Sequence, residues 1–219
     1  MSLIPYTAGG GQASAALLTF ASSGNKNSIT TASQTYSSQG IGMPSSDRVV
    51  LVSIYSKGQL TKVVQSITCG GVSMTKMRSV TYTRGESGIW GVAYPTGTTA
   101  DIVVTYPAAN ISRNFIAVHA LTGTAGDFTE FDFGSDSAST TMSTTLDIPA
   151  NGAVLVTAGS NTDGQNSADA GFTEDWQENN TGSAFGGSAS LLAAETARTI
   201  TSTTDGNDYQ SLVAVSFGP

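Results

Sequence analysis

Cysteine and histidine are almost absent from this chain of 219 residues: each occurs once, as Cys69 and His119. A single thiol cannot close an internal disulfide, and one imidazole with one thiol cannot assemble the usual zinc ligand sets. Charge is scarce as well. Only 11% of residues are Asp, Glu, Lys or Arg, against roughly 25% in average soluble domains. Nine basic residues stand singly against sixteen acidic ones, for a net charge of −7. No basic stripe is left to neutralise a run of phosphates, so nucleic acid is not an expected partner. No apolar run is long enough to span a bilayer, so no membrane partner is expected either. Met1-Ser-Leu-Ile-Pro-Tyr6 carries no basic segment ahead of an apolar one, which points to synthesis in the cytoplasm without a signal peptide. Nucleotide-binding, zinc-protease and nucleophile-elbow motifs are also missing.

What remains is Ser, Thr, Asn, Gln and Gly around β-branched residues. A surface of that kind is neutral and hydrogen-bonding, and it is cheaper to dehydrate than a charged one. It suits lasting burial against other proteins.

The strongest positive signal is repetition. Asp47-Arg-Val-Val-Leu-Val-Ser-Ile-Tyr-Ser56 returns in outline as Asn151-Gly-Ala-Val-Leu-Val-Thr-Ala-Gly-Ser160, and Ile116-Ala-Val-His119 returns as Val213-Ala-Val-Ser216. Between these anchors Gly70-Gly-Val-Ser-Met-Thr-Lys-Met77 matches Ala170-Gly-Phe-Thr-Glu-Asp-Trp-Gln177, in the same order. On this alignment Ser216 takes the place of His119, Ser190 that of Trp90, and Trp176 that of Lys76. The expected organisation is an N-terminal arm over residues 1–14, a first copy over 15–123 and a second over 124–219, the two copies forming one compact domain. Two separate small sandwiches are the runner-up.

Nearly every periodic segment alternates with period two and is rich in Val, Ile, Thr and Tyr, with Gly, Asn, Asp and Ser between segments. Strands are expected near 15–21, 28–33, 48–56, 63–69, 77–83, 87–94, 100–106 and 115–121, and again near 141–148, 153–159, 173–179, 188–195, 197–203 and 211–217. The segment 48–56 is apolar on both faces and should be central in its sheet. The more polar 99–106 and 196–203 are expected nearer an edge. Residues 123–144 read as the connection between copies. No segment shows a helical face, so the fold class is all-β: an antiparallel, jelly-roll-like β-sandwich built from an internal duplication.

Candidate chemistry is thin. His119 lies within an apolar strand and reads as a structural histidine. Ser73-Met-Thr-Lys76 spells S-x-x-K, but that motif needs a helix start, and here it follows a Gly-Gly turn into strand. Asp127, Glu130, Asp132 and Asp136 form one acidic cluster and Asp205-Gly-Asn-Asp208 another. Neither has the spacing of a calcium loop, and both are expected on loops, whereas a glycosidase would carry its acids on rigid strands. No catalytic, cofactor or metal residue is assigned, and no cofactor is expected. Aromatic rings can stack on sugars, so Trp90, Tyr94, Tyr82, Tyr106 and Trp176 are candidates for carbohydrate binding. Trp90 and Trp176 are the two possible ligand-facing aromatics, with the core the favoured place for each. Ile4, Pro5 and Tyr6 of the arm are the candidate partner-binding residues.

With Arg48-Val-Val-Leu-Val52, the Gly70-Gly-Val-Ser-Met-Thr-Lys76 hairpin, Gly88-Ile-Trp-Gly-Val-Ala-Tyr94 followed by Pro95-Thr-Gly97, and Ala100-Asp-Ile-Val-Val-Thr105, the chain resembles a duplicated β-sandwich found in bacteriophage virion proteins and some bacterial surface proteins. The resemblance runs from about residue 15 to 217 and rests on packing and turn motifs. It implies no catalytic residues. It implies a virion structural protein, a capsid decoration or cement or head-fibre-type protein, made in the host cytoplasm and bound to the major capsid or other virion proteins. A homo-oligomer, taken as a trimer, is the expected state. The alternative is a carbohydrate-binding or adhesin module on a phage tail or cell surface.

Overall fold

The computed structural model describes residues 15–58, 63–82, 85–109, 111–124, 128–161, 172–179, 183–191 and 193–219. Within them every regular element is a β-strand, and all pairings are antiparallel. The fold is an all-β assembly of packed antiparallel sheets, as the period-two patterning requires.

The described residues form three sheets. Sheet I has the order β1 (Leu17–Ile29), β9 (Ile111–Thr122), β3 (Val49–Gly58), β7 (Gly85–Ala93), β6 (Thr75–Tyr82). Sheet II has the order β10 (Phe128–Ile148), β14 (Glu195–Phe217), β11 (Gly152–Ser160), β13 (Ser183–Leu191), β12 (Thr173–Asn179). Sheet III has the order β2 (Ser33–Gly40), β8 (Thr99–Thr105), β4 (Ser66–Cys69), β5 (Val72–Ser73). Sheets I and III together follow the strand order of a jelly roll. The β4–β5 hairpin turns on Gly70 and Gly71, both at positive φ (54° and 82°), as a two-residue turn between right-twisted strands requires.

Sheet I is covered on both faces, which explains its central strand. In β3 every residue except Lys57 is buried. Val50, Val52 and Ile54 point toward sheet III and form a core with Ile67, Ile102, Val104, Ile116, Val118 and Trp90. Val49 and Leu51 point the other way, into a core shared with Ala153, Leu155, Val213, Val215 and Phe217 of sheet II. In sheet II, β11 is likewise buried throughout. Its far face, Val154, Val156 and Ala158, packs under Met142, Leu146, Ile148 and Ile200. These come from the later part of β10 and the earlier part of β14, which pair with each other as β2 and β8 do in the first half.

Three expectations need correction. Residues 128–144 are strand rather than connection: β10 runs from Phe128 to Ile148, with register shifts where an uninterrupted pleat would fail. Strand β8 is interior to sheet III, between β2 and β4, and its outward Asp101, Val103 and Thr105 leave it polar on one face only. The repeat alignment slips at its later anchors. Leu51 pairs with His119 in sheet I, and the corresponding Leu155 pairs with Val215, so the counterpart of His119 is Val215 and not Ser216. By the same register Val52 opposes Trp90 where Val156 opposes Gly187. A slip of one residue exchanges the two faces of a strand.

Candidate functional site

The two five-stranded sheets match in more than order. In β6 the register shifts between Lys76 and Arg78, leaving Met77 as a bulge opposite Trp90 and Ile89. In β12 it shifts between Glu174 and Trp176, leaving Asp175 as a bulge opposite Gly187 and Gly186. Met77 and Asp175 therefore occupy corresponding places, and Trp176 corresponds to Arg78 rather than to Lys76. Phe20 opposes His119 where Phe131 opposes Val215, and Leu51 opposes Gly91 where Leu155 opposes Ser188. A bulge re-aims its side chain, and these two bulges are filled in opposite ways.

At the β6 bulge the contact is apolar. Met77 packs on the core containing Val215, and its methyl occupies the space a side chain on Gly91 would need, 2.3 Å from an ideal Cβ there. At the β12 bulge the contact is polar. His119 Nε2 donates to Asp175 Oδ2 at 2.8 Å, and Ser188 Oγ donates to the same oxygen at 2.6 Å. The histidine side chain is 0% exposed and the aspartate 6%. Phe20 lies edge-on to the imidazole at 5.5 Å between centroids, and His119 Nδ1 is buried without a partner among the described residues.

This is the densest gathering of chemistry-bearing side chains among the described residues, and its order argues against nucleophilic catalysis. In a hydrolytic triad the imidazole stands between serine and carboxylate so that it can take the hydroxyl proton. Here the carboxylate stands between the other two, both of which donate to it. Asp175 and Ser188 were not visible as candidates in the sequence. A strand aspartate beside a tryptophan reads as an outward residue until the bulge is known.

The sequence-derived candidates fall elsewhere. Trp90 is 4% exposed, packed against the sheet III core with the Lys76 ammonium 4.9 Å from its ring centre. Trp176 is 7% exposed and lies over Gly186 beside Tyr55, Phe115 and Ala117. Tyr106 is buried in the first core, with Tyr94 partly buried against it, and burial pushes the Tyr106 and Tyr36 hydroxyls well above their usual range. Ile4, Pro5 and Tyr6 lie outside the described residues, as do Asp127 and the side chains of Tyr82, Glu130, Asp136, Asp205 and Asp208. Ser73 and Lys76 sit in different strands of different sheets, and Lys76 pairs at 3.0 Å with Glu86, a buried carboxylate that also accepts from Val64 N at 2.5 Å. Burial pushes the Cys69 thiol up to about 11 against the opposing pull of Arg48, which keeps it protonated and unreactive. Among the described residues no three His, Cys, Asp or Glu gather where they could hold a metal ion.

Arg48 forms the other buried polar centre. Arg48 is 1% exposed, and among the described residues its guanidinium pairs with backbone alone: Nε donates to Tyr94 O at 2.7 Å, one terminal nitrogen to Gly42 O and Gly97 O at 2.9 and 3.0 Å, and the other to Thr96 O at 2.6 Å. Burial pulls the guanidinium below its usual value, opposed by Cys69 and Tyr94. It clips the chain before β3 to the turn after β7.

No protein family and no curated protein sequence matches the chain. Among solved structures it is similar to the major capsid protein P2 from bacteriophage PM2, over 92% of this chain and 97% of that one, at 12% identity and a TM-score of 0.29. A likeness that distant carries no functional argument, and the fold assignment stands on the strand pairing itself.

Proposed function

We propose that this chain is a bacteriophage virion structural protein, a capsid decoration or cement protein added to an assembled particle, and that it has no catalytic activity. The observation that carries the reading is the place of His119: the one histidine in the chain is 0% exposed between two sheets and bonded to a carboxylate. It cannot serve as a base to anything in solution. The work then falls to the surface, which is poor in charge and rich in hydroxyl and amide groups, and to the arm.

In this reading residues 1–14 are an arm whose Ile4, Pro5 and Tyr6 meet the major capsid protein, residues 15–123 and 124–219 are two copies of an ancestral unit, and the assembled state is a homo-oligomer. The matched strand order and the matched bulges of sheets I and II support the duplication. The low charge density supports lasting contact with other proteins.

The test is to locate the chain in purified particles. It should sediment with intact heads and leave them under mild denaturation, and a chain lacking residues 1–12 should attach more weakly while keeping its far-ultraviolet spectrum. Recovery in tail fractions alone, or glycan-array binding abolished by Trp90→Phe, would overturn the assignment in favour of a carbohydrate-binding module.

A further inference from the structure

One end of the space between sheets I and III is polar where the rest is apolar. Ser56 follows Val50, Val52 and Ile54 on the face of β3 turned toward sheet III, and it stands opposite Glu86 of β7 on one side and Asn114 of β9 on the other. Opposed residues share a face, with Cβ atoms about 4.5–5.5 Å apart, so the three form a row across the sheet. From the facing layer come Tyr36 of β2 and Tyr106, the residue after β8. All five are at most 4% exposed. Glu86 is met by Lys76 and by Val64 N, and Tyr36 donates to Asn114 O at 3.0 Å. The rest are not met: among the described residues Ser56 Oγ, Tyr106 OH and both ends of the Asn114 amide have no hydrogen-bond partner. They nevertheless lie close together. Burial lifts the Tyr106 hydroxyl well above its usual range, Tyr36 adds to the rise, Ser56 draws it back, and Glu86 raises it again.

We propose that a water molecule is bound here, held by Ser56 Oγ, Tyr106 OH and the Asn114 amide, and that it joins sheet I to sheet III as a fixed part of the fold. A buried polar group left unmet is heavily penalised, and polar groups that face one another across more than a hydrogen-bond length are the setting for a bridging water. The chemistry of the groups selects the occupant. Asn114 Nδ2 can only donate and Oδ1 can only accept. A metal cation would leave the first unmet and an anion the second, and the Glu86 charge is already balanced by Lys76. Water does both, and buried waters make about three bonds to groups otherwise unsatisfied. A comparison within the chain supports the assignment. In the second half Ser160 opposes Gln210 where Ser56 opposes Asn114, and that pair too is buried, at 0% and 2% exposure. Gln210 is one methylene longer, and its Nε2 donates directly to Ser139 O. The shorter Asn114 needs an intermediary.

The test begins with a crystal structure of the full chain at a resolution that shows ordered waters. A density peak is expected about 2.5–3.2 Å from Ser56 Oγ, Tyr106 OH and one atom of the Asn114 amide. Contacts of about 2.0–2.6 Å, as metal cations make, or direct bonds among the three side chains with no peak between them, would overturn the proposal. In solution, oxygen-17 relaxation dispersion counts the waters that stay bound for longer than the protein takes to tumble. The variant Ser56→Ala/Asn114→Leu removes most of the unmatched atoms and should lose about one such water relative to the wild type. An unchanged count in the folded variant would equally overturn it, and if that variant does not fold, the wild-type crystal structure decides alone.

Discussion

Replacing Gly159 by alanine adds one methyl group to a chain with 25 glycines, yet the structure assigns it a large cost. Position 159 is not among the positive-φ glycines, so its backbone accepts alanine, and the loss of glycine's unfolded-state freedom alone would stabilise the strand by roughly 0.5–1 kcal/mol. The obstacle is the Tyr55 ring. The new Cβ would lie 1.9, 2.1 and 2.6 Å from three ring carbons, where ordinary contact begins at 3.4 Å. The ring must retreat by about 1.5 Å, the difference between 1.9 and 3.4 Å, and it is fully buried. A retreat of that size breaks the 2.6 Å hydrogen bond to Ser160 O. Overpacking costs about 1–3 kcal/mol and an unmet buried hydrogen-bonding group about 1–3 more. Set against the backbone gain, Gly159→Ala should destabilise by roughly 1–5 kcal/mol. Equilibrium urea unfolding should show the midpoint falling by at least about 0.3 M, given slopes of about 1–3 kcal/mol per molar. The control is the same change in a Tyr55→Ala background, where the space is vacant and the penalty should vanish, leaving a coupling energy above about 2 kcal/mol in the double-mutant cycle. An unchanged midpoint for Gly159→Ala, or additivity within about 0.5 kcal/mol, would refute the reasoning.

Two further outcomes follow from the other buried polar groups. Arg48→Met should cost at least about 2–3 kcal/mol, because it strands the buried carbonyls of Gly42, Tyr94, Thr96 and Gly97, each about 1–3 kcal/mol when left wholly unmet; Arg48→Lys should recover less than half, since an ammonium cannot reach a fork of four acceptors. Denaturation midpoints of the two variants decide it, and full rescue by lysine would contradict the geometry. For Asp132, burial alone would raise the carboxyl, but hydrogen bonds from Thr144, Phe133 N and Thr145 N, with Arg78 nearby, bring it below its usual 3.8. A depressed folded-state value means that its contribution is present above the unfolded value and is lost as the pH falls through the folded one. Carbon-detected titration should place its midpoint under 3.8, and Asp132→Asn should flatten the stability loss on the acid side of that value.

Much of the architecture could be read from the chain before any coordinates. Two-sided apolarity in Arg48-Val-Val-Leu-Val52 announced the central strand, because a strand covered on both faces cannot alternate. Gly70-Gly71 announced a tight hairpin, because only such residues accept positive φ at both turn positions. The second occurrence of Val-Leu-Val at 154–156 pointed to a corresponding strand in the second half. The misreadings share one cause. Residues 128–144, with their acids, serines and glycines, look like a loop, but the two parts of β10 lie against β14 and the Asp132 carboxylate ties Thr145 of the later part back to the earlier. Propensity could not anticipate pairing with a strand so distant in sequence.

The candidate site was hardly legible at all. The sequence by itself determined that His119 and Cys69 are the lone imidazole and the lone thiol, so no site could be read from a cluster of either. It also determined an all-β fold, because alternation is a local property that each segment carries alone. Only the tertiary structure decided what His119 touches. A β-bulge in another strand turns Asp175 inward, and the packing of one sheet on another brings it within 2.8 Å of the imidazole. A bulge shifts which face a side chain takes, and sheet packing sets partners 56 residues apart, so neither leaves a trace in the pattern of either strand.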